Sequence, residues 1–155
     1  MNEPAQENNY LGKHAALLIS TYRRLTGKDL VEKGLSGVEM FRALYDAPYA
    51  VVSHGIEGDP VFNYGNRTAL RLFEMTWPEF IALPSRKSAE PENRDERERL
   101  LARVTRDGFI DDYRGIRISS TGLRFWIEDA TVWNLIDAEG VYYGQAAVFE
   151  RWTAL

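Results

Sequence analysis

Apolar positions between Tyr10 and Thr26 recur in steps of four and three. Leu11, Ala15, Leu18, Tyr22 and Leu25 form one stripe, the spacing of an amphipathic helix. Lys13, Arg23 and Arg24 fall off it, and Gly27 supplies a stop. A second, shorter helix is predicted after Ser36, which forms a capping box with Glu39. Met40, Phe41 and Leu44 give this helix its apolar side until Pro48 ends it. The pattern then changes to strand. Tyr49–Ser53 and Val61–Tyr64 flank the turn sequence Glu57-Gly58-Asp59-Pro60, which predicts a hairpin. Asn66 is a good N-cap for a helix carrying Leu70, Leu72 and Phe73. Thr76 and Glu79 make another capping box for a short helix through Trp77, Phe80 and Ile81. Leu83–Pro91 reads as a loop. Arg94–Arg106 reads as a charged helix with Leu100, Leu101 and Val104 on its buried side, closed by Asp107-Gly108. Its charge run, Arg94–Arg99, has opposite signs four apart and predicts a solvated surface. Three strand-like runs follow, Ile110–Ser119, Arg124–Ile136 and Val141–Arg151, separated by Ser120-Thr121-Gly122 and Asp137-Ala138-Glu139-Gly140. This order predicts an α+β fold, a five-stranded antiparallel sheet with helices on one face and an additional N-terminal helix.

The 155 residues fit one core, with 45% hydrophobic and 27% charged residues. Residues 1–9 are polar and are expected to form a disordered tail; 10–35 form the N-terminal helix and a linker, and 36–155 the main domain. The net charge is −4 without a basic block, so no nucleic-acid partner is expected. Met1–Asn9 carries Glu3 and Glu7 and no basic residue, unlike a signal peptide. No apolar run approaches the roughly 20 residues of a membrane span, and a cytoplasmic location is expected. The chain has no cysteine, which removes disulfides, thiol catalysis and zinc–thiolate or iron–sulfur sites.

The element order, and three local sequences, resemble the PAS domain. Asp46-Ala47-Pro48-Tyr49-Ala50-Val51-Val52 looks like the opening of its first strand. Val61-Phe62-Asn63-Tyr64-Gly65-Asn66-Arg67-Thr68-Ala69, with Leu72-Phe73, looks like its second strand and the asparagine-capped helix after it. Ser120-Thr121-Gly122-Leu123-Arg124-Phe125-Trp126 looks like the turn into the penultimate strand. A closer resemblance spans Ser36 to Phe149, about three quarters of the chain. Leu83-Pro84-Ser85-Arg86 through Trp133, and Gly144-Gln145-Ala146, are similar to the MEKHLA domain, a PAS-like family. That family occurs at the C-terminus of plant class III homeodomain–leucine zipper proteins and as small free-standing bacterial proteins, the type this chain resembles. The resemblance implies a PAS-like fold and a sensing or regulatory role, with no ligand or reaction attached. The plant role does not carry over, because this chain has no homeodomain or zipper.

Within that frame the missing cysteine excludes cysteinyl-flavin and cinnamoyl chromophores, and leaves a non-covalently held flavin open. Haem is not expected, since the helix Arg94–Arg106 has no histidine. His14, off the apolar stripe, is expected to face solvent, and His54 to end a strand beside a turn. Strand alternation gives the pocket candidates: if Ile127 points inward, Asp129, Thr131 and Trp133 do too. The resemblance adds Arg117 on the preceding strand, which would make a buried pair with Asp129. Tyr64, Phe73 and Trp77 would complete an aromatic wall around an aromatic or flavin-like ligand. Trp126, Phe149 and Trp152 are expected on the opposite sheet face. The stripe Leu11, Ala15, Leu18, Tyr22 and Leu25 would cover that face or join two copies as a homodimer. Three functions stay open: a sensory module for a small ligand or an unidentified protein partner, a cone-shaped α+β enzyme of the ketosteroid-isomerase kind working through Asp129 and Arg117, and a ligand-free adaptor.

Overall fold

A computed structural model describes residues 1–90 and 94–155. The N-terminal helix, α1, runs Gly12–Thr26 and stops at Gly27, whose φ of 76° is the left-handed conformation that glycine takes without strain. It starts later than its pattern predicts, because Asn9, Tyr10 and Leu11 all take positive φ before it. The second helix, α2, is Val38–Tyr45. Gly37, not Ser36, sits at its N-cap and the predicted capping box does not form. The hairpin is β1 (Ala50–His54) and β2 (Phe62–Gly65). Asn66 caps α3 (Arg67–Phe73) by accepting from the Ala69 amide, and Thr76 and Glu79 form the predicted capping box of α4 (Trp77–Phe80). The predicted loop contains a 3₁₀ turn at Ser85–Ser88, and its last residue, Pro91, lies outside the described residues. Then come α5 (Arg94–Asp107), β3 (Phe109–Ile118), β4 (Arg124–Ile136) and β5 (Tyr142–Phe149).

The sheet is antiparallel in the order β2-β1-β5-β4-β3. A sixth strand, β6 (Arg151–Ala154), arises where the last predicted run breaks at Glu150. It pairs with the first half of β4, Phe125 opposite Ala154 through Glu128 opposite Arg151. Helices lie on both faces. On one, α1 packs against β4: the Trp133 indole donates to Thr21 Oγ1 at 2.9 Å, and Tyr22 meets the Trp133 ring edge-on at 5.0 Å. Ala15 and Leu18 are fully buried by this chain's own core, so those members of the predicted dimer stripe are not left for a second copy. On the other face α3 and α5 cover the space between β1 and β3.

Residues 1–9, expected to be disordered, are instead held against the domain. A 3₁₀ turn at Gln6–Asn8 is closed by Asn8 Oδ1, which accepts from the Ala5 and Leu11 amides at 3.0 and 3.1 Å. Pro4 is buried, the Tyr45 hydroxyl donates to the Glu3 carboxylate, and Trp77 Nε1 donates to the Met1 carbonyl at 3.2 Å. A polar segment with few apolar atoms is fixed here by hydrogen bonds to aromatic side chains it caps.

Candidate ligand cavity

The site is set by an irregularity in β4. Asp129 has φ 51°, a left-handed conformation that aspartate tolerates better than most residues. One such residue turns the following side chains to the other face. Ile127 therefore lies on the α5 side of the sheet, but Ala130 and Val132 join it there, whereas Thr131 and Trp133 face α1. The pairing of β3 with β4 shifts at the same level, around Tyr113. Strict alternation from Ile127, the basis of the predicted inward set Asp129, Thr131 and Trp133, fails at this bulge. Asp129 is exposed and reaches Arg151 Nη1 at 3.3 Å. Arg117 donates to its neighbour's carbonyl, Ile116 O, at 2.9 Å and lies over the Tyr113 ring. The predicted Arg117–Asp129 pair does not form, and the acid–base pocket of the enzyme reading loses its carboxylate.

Between the sheet and α5 lies a cavity of about 70 Å³. Its apolar wall includes Phe62, Phe73, Leu100, Ile127, Val132 and Phe149, with Phe73 edge-on to Phe125 at 5.5 Å. Of the sequence candidates, Phe73, Arg117 and Ile127 line it. Tyr64 and Trp77 do not. Both are buried elsewhere, edge-to-face at 6.2 Å, with Tyr64 also against the His14 ring. Phe149 was expected on the opposite face, yet it lines the cavity and meets Trp152 edge-on. Trp126 is half-buried under the Arg114 guanidinium.

Polar groups enter this apolar space at a few points. Arg97, inside the run read as solvated surface, is only 7% exposed and donates to Ser85 Oγ. Ser85 is held by its own amide on Pro60 O at 2.8 Å and by Ser88 Oγ on its carbonyl at 2.7 Å. Burial first, and then the neighbouring Arg117 charge, lower the Arg97 guanidinium to about 10, still protonated at neutral pH. Gln145 spans the cavity's other end, with Leu101 O, Thr105 Oγ1 and Asn134 Oδ1 at 3.2, 3.1 and 3.0 Å around the two hydrogens of its Nε2. His54, expected beside a turn, is buried here. Its Nδ1 lies 3.0 Å from the Gly55 carbonyl and its Nε2 has no hydrogen-bond partner among the described residues. Burial and the Arg97 charge lower its pKa, which keeps the imidazole neutral.

The other histidine is on the opposite face. His14, predicted to face solvent, lies 2.8 Å from Ser53 Oγ, and burial lowers it to about 4. Ser53 and His54 are adjacent in β1 and point to opposite faces, so the sheet separates the two imidazoles. Because the folded pKa lies below the unfolded 6.5, the unfolded chain takes up this proton first as pH falls. His14 therefore leaves stability untouched above about pH 6.5 and withdraws at most about 3 kcal/mol of it on descent to pH 4. Chemical denaturation at pH 7 and 4.5 is expected to show a smaller acid loss for His14→Gln than for the parent chain. Equal losses would mean His14 is not held neutral.

The family model of the MEKHLA domain matches residues 12–154. The chain belongs to the MEKHLA domain family. The match includes α1, which lies outside the stretch whose sequence first resembles the family. A rice protein, homeobox-leucine zipper protein HOX29 of Oryza sativa subsp. indica, is 23% identical over 126 residues, covering 79% of this chain and 15% of the rice protein. This MEKHLA chain thus spans a small part of that relative's length. Among solved structures, a PAS domain from Colwellia psychrerythraea superposes with a TM-score of 0.59 at 14% identity, over 74% of this chain and 92% of that one. The PAS domain of a LuxR-family transcriptional regulator from Burkholderia thailandensis, in complex with ethanol, superposes with a TM-score of 0.54 at 20% identity, over 74% and 95%. The fold of this MEKHLA domain is PAS-like. None of its helices among the described residues is long and apolar enough to cross a membrane.

Other solved neighbours include light-oxygen-voltage domains, one of them described with a flavin analogue. A pocket for a drug-sized or larger group is on the order of 300 Å³ or more. The 70 Å³ cavity, with Phe62, Phe73 and Phe149 packed into it, does not fit an isoalloxazine ring.

Proposed function

We propose that this MEKHLA domain is a cytoplasmic sensory module that takes up a small molecule in the cavity between α5 and the sheet. The observation that carries the reading is the half-enclosed, largely apolar cavity with a few convergent polar groups. Its size suits roughly five to seven non-hydrogen atoms, at about 10–15 Å³ for each water-sized unit. The ethanol-bound PAS neighbour supports a ligand on this scale. Occupation would bear on α5 through Leu100 and Leu101 and on β5 through Ala147, and the change would pass outward to a partner protein or a second copy of the chain. The adaptor reading has a filled core and no such uptake.

Filling the space tests the choice. Ala147 is half-buried and lines the cavity, so Ala147→Leu places extra carbons in it. Amide chemical shifts at Ala130, Val132 and Ala147 are expected to move when the parent chain is titrated with short-chain alcohols and acids, and to move at least about tenfold less in A147L. Native mass spectrometry of protein purified gently from its host would show the adduct directly. Shifts that never respond in the parent chain, together with an unliganded mass, would establish the adaptor reading.

A further inference from the structure

An apolar wall alone does not explain Arg97. It is 93% removed from solvent, carries a full charge, and forms no ion pair with any carboxylate among the described residues. Glu98 and Asp59 act on it only through the longer-range field, and Asp59 itself is engaged with Arg86 at 3.0 Å. Its one side-chain hydrogen bond among the described residues goes to the Ser85 hydroxyl, and the guanidinium's other donors meet no protein acceptor there. Arg117 lines the same cavity, its Nη1 engaged with Ile116 O and its plane on Tyr113. Two cations share one small space, and the Arg117 charge opposes that of Arg97. A buried charge is retained at such a place only when something of opposite sign repays its lost hydration. His54, also on the wall, is neutral and adds no negative charge.

We infer that the ligand is a small monocarboxylate, its carboxylate held by Arg97 and Arg117 and its short carbon tail against Phe73, Leu100 and Val132. A planar guanidinium suits a carboxylate better than a spherical anion, because two parallel N–H groups meet two oxygens. The apolar remainder of the wall favours a tail of a few carbons over inorganic phosphate, which would leave its other oxygens against Leu and Val. The inference rests on the proposed uptake of a small molecule and names its chemical class.

The test compares butyrate with butan-1-ol, which has a similar tail and no charge, and with inorganic phosphate. Each is titrated into the full chain and followed by amide shifts and calorimetry. Butyrate is expected to bind at least about tenfold more tightly than butan-1-ol or phosphate. Arg117→Gln, at a half-buried position, is expected to weaken butyrate by about tenfold and leave butan-1-ol within about twofold. Arg97→Gln should have the larger effect, and R117Q keeps the test decisive if R97Q does not fold. Equal binding of butyrate and butan-1-ol overturns the carboxylate and leaves the cavity reading standing. Tighter binding of phosphate also overturns it, in favour of an inorganic anion. Failure of all three to move signals at Ala130 and Val132 overturns the inference. The broader screen of alcohols and acids with A147L then decides separately whether the cavity takes up any molecule.

Discussion

Replacing Gly144 by alanine is expected to cost about 4 kcal/mol or more and to leave little folded protein near physiological temperature. Two independent constraints coincide at this residue. Its φ of 125° is closed to L side chains without strain of roughly 1–3 kcal/mol. A Cβ built there would also lie 2.0 Å from the His54 carbonyl oxygen and 3.2 Å from the Gly55 Cα. Those contacts are backbone atoms of the neighbouring strand, so no rotamer change relieves them. Either β5 moves away from β1, breaking the pairing of His54 with Gln145, or the strand ends early. Both residues line the cavity, so the substitution should also remove any ligand response that survives. The check is the denaturant midpoint and calorimetric transition of G144A beside those of the parent. A shift worth under about 1 kcal/mol would mean the β1–β5 contact adapts freely.

The fold was legible because most local signals agreed with one another. The stripe of α1, the asparagine cap of α3, the Thr76–Glu79 box and the turn residues between strands each placed an element, and the family resemblance agreed with their order. Cavity residues were less legible, and two particular residues explain why. Asp129 in the left-handed region reverses the facing of β4 from Ala130 onward, and no sequence rule marks an aspartate within Glu128-Asp129-Ala130 as a bulge. Every inward assignment beyond Ile127 inverted with it. Arg97 did leave a signal. It lies three, four and seven residues before Leu100, Leu101 and Val104, on the same side of α5 as the apolar positions. The surrounding run of charges masked it, because a mixed-sign helix is ordinarily solvated on the faces that carry charge. At the N-terminus, composition predicted disorder, whereas three polar contacts to Asn8, Tyr45 and Trp77 secure the segment. The contacts to Tyr45 and Trp77 depend on tertiary neighbours and have no local signature.

Asn66 is the position where local and tertiary roles meet, and Asn66→Ala is expected to destabilise the domain by about 4 kcal/mol. The side chain is fully buried and all of its capacity is used. Oδ1 accepts from the Ala69 amide at 3.1 Å, the cap of α3, and from the Val51 amide in β1 at 3.0 Å. Nδ2 donates to Leu44 O near the end of α2 at 3.1 Å and to Tyr49 O just before β1 at 2.8 Å. One amide therefore joins two helices to the β1–β2 hairpin. Loss of the cap accounts for about 1 kcal/mol, and the buried amides and carbonyls left without a partner for the rest, at roughly 1–3 kcal/mol each before relaxation or water entry. Asn66→Asp separates the two halves of the network. The carboxylate keeps the acceptor toward Val51 and Ala69 but cannot donate to Leu44 and Tyr49, and it buries a charge. Its loss should ease as pH falls and the carboxyl protonates, regaining one donor. A denaturant series on N66A and N66D at pH 7 and 5 reads both effects. If N66A loses no more than the single cap, about 1 kcal/mol, then the contacts to α2 and β1 contribute nothing and the hairpin is held by its strands alone.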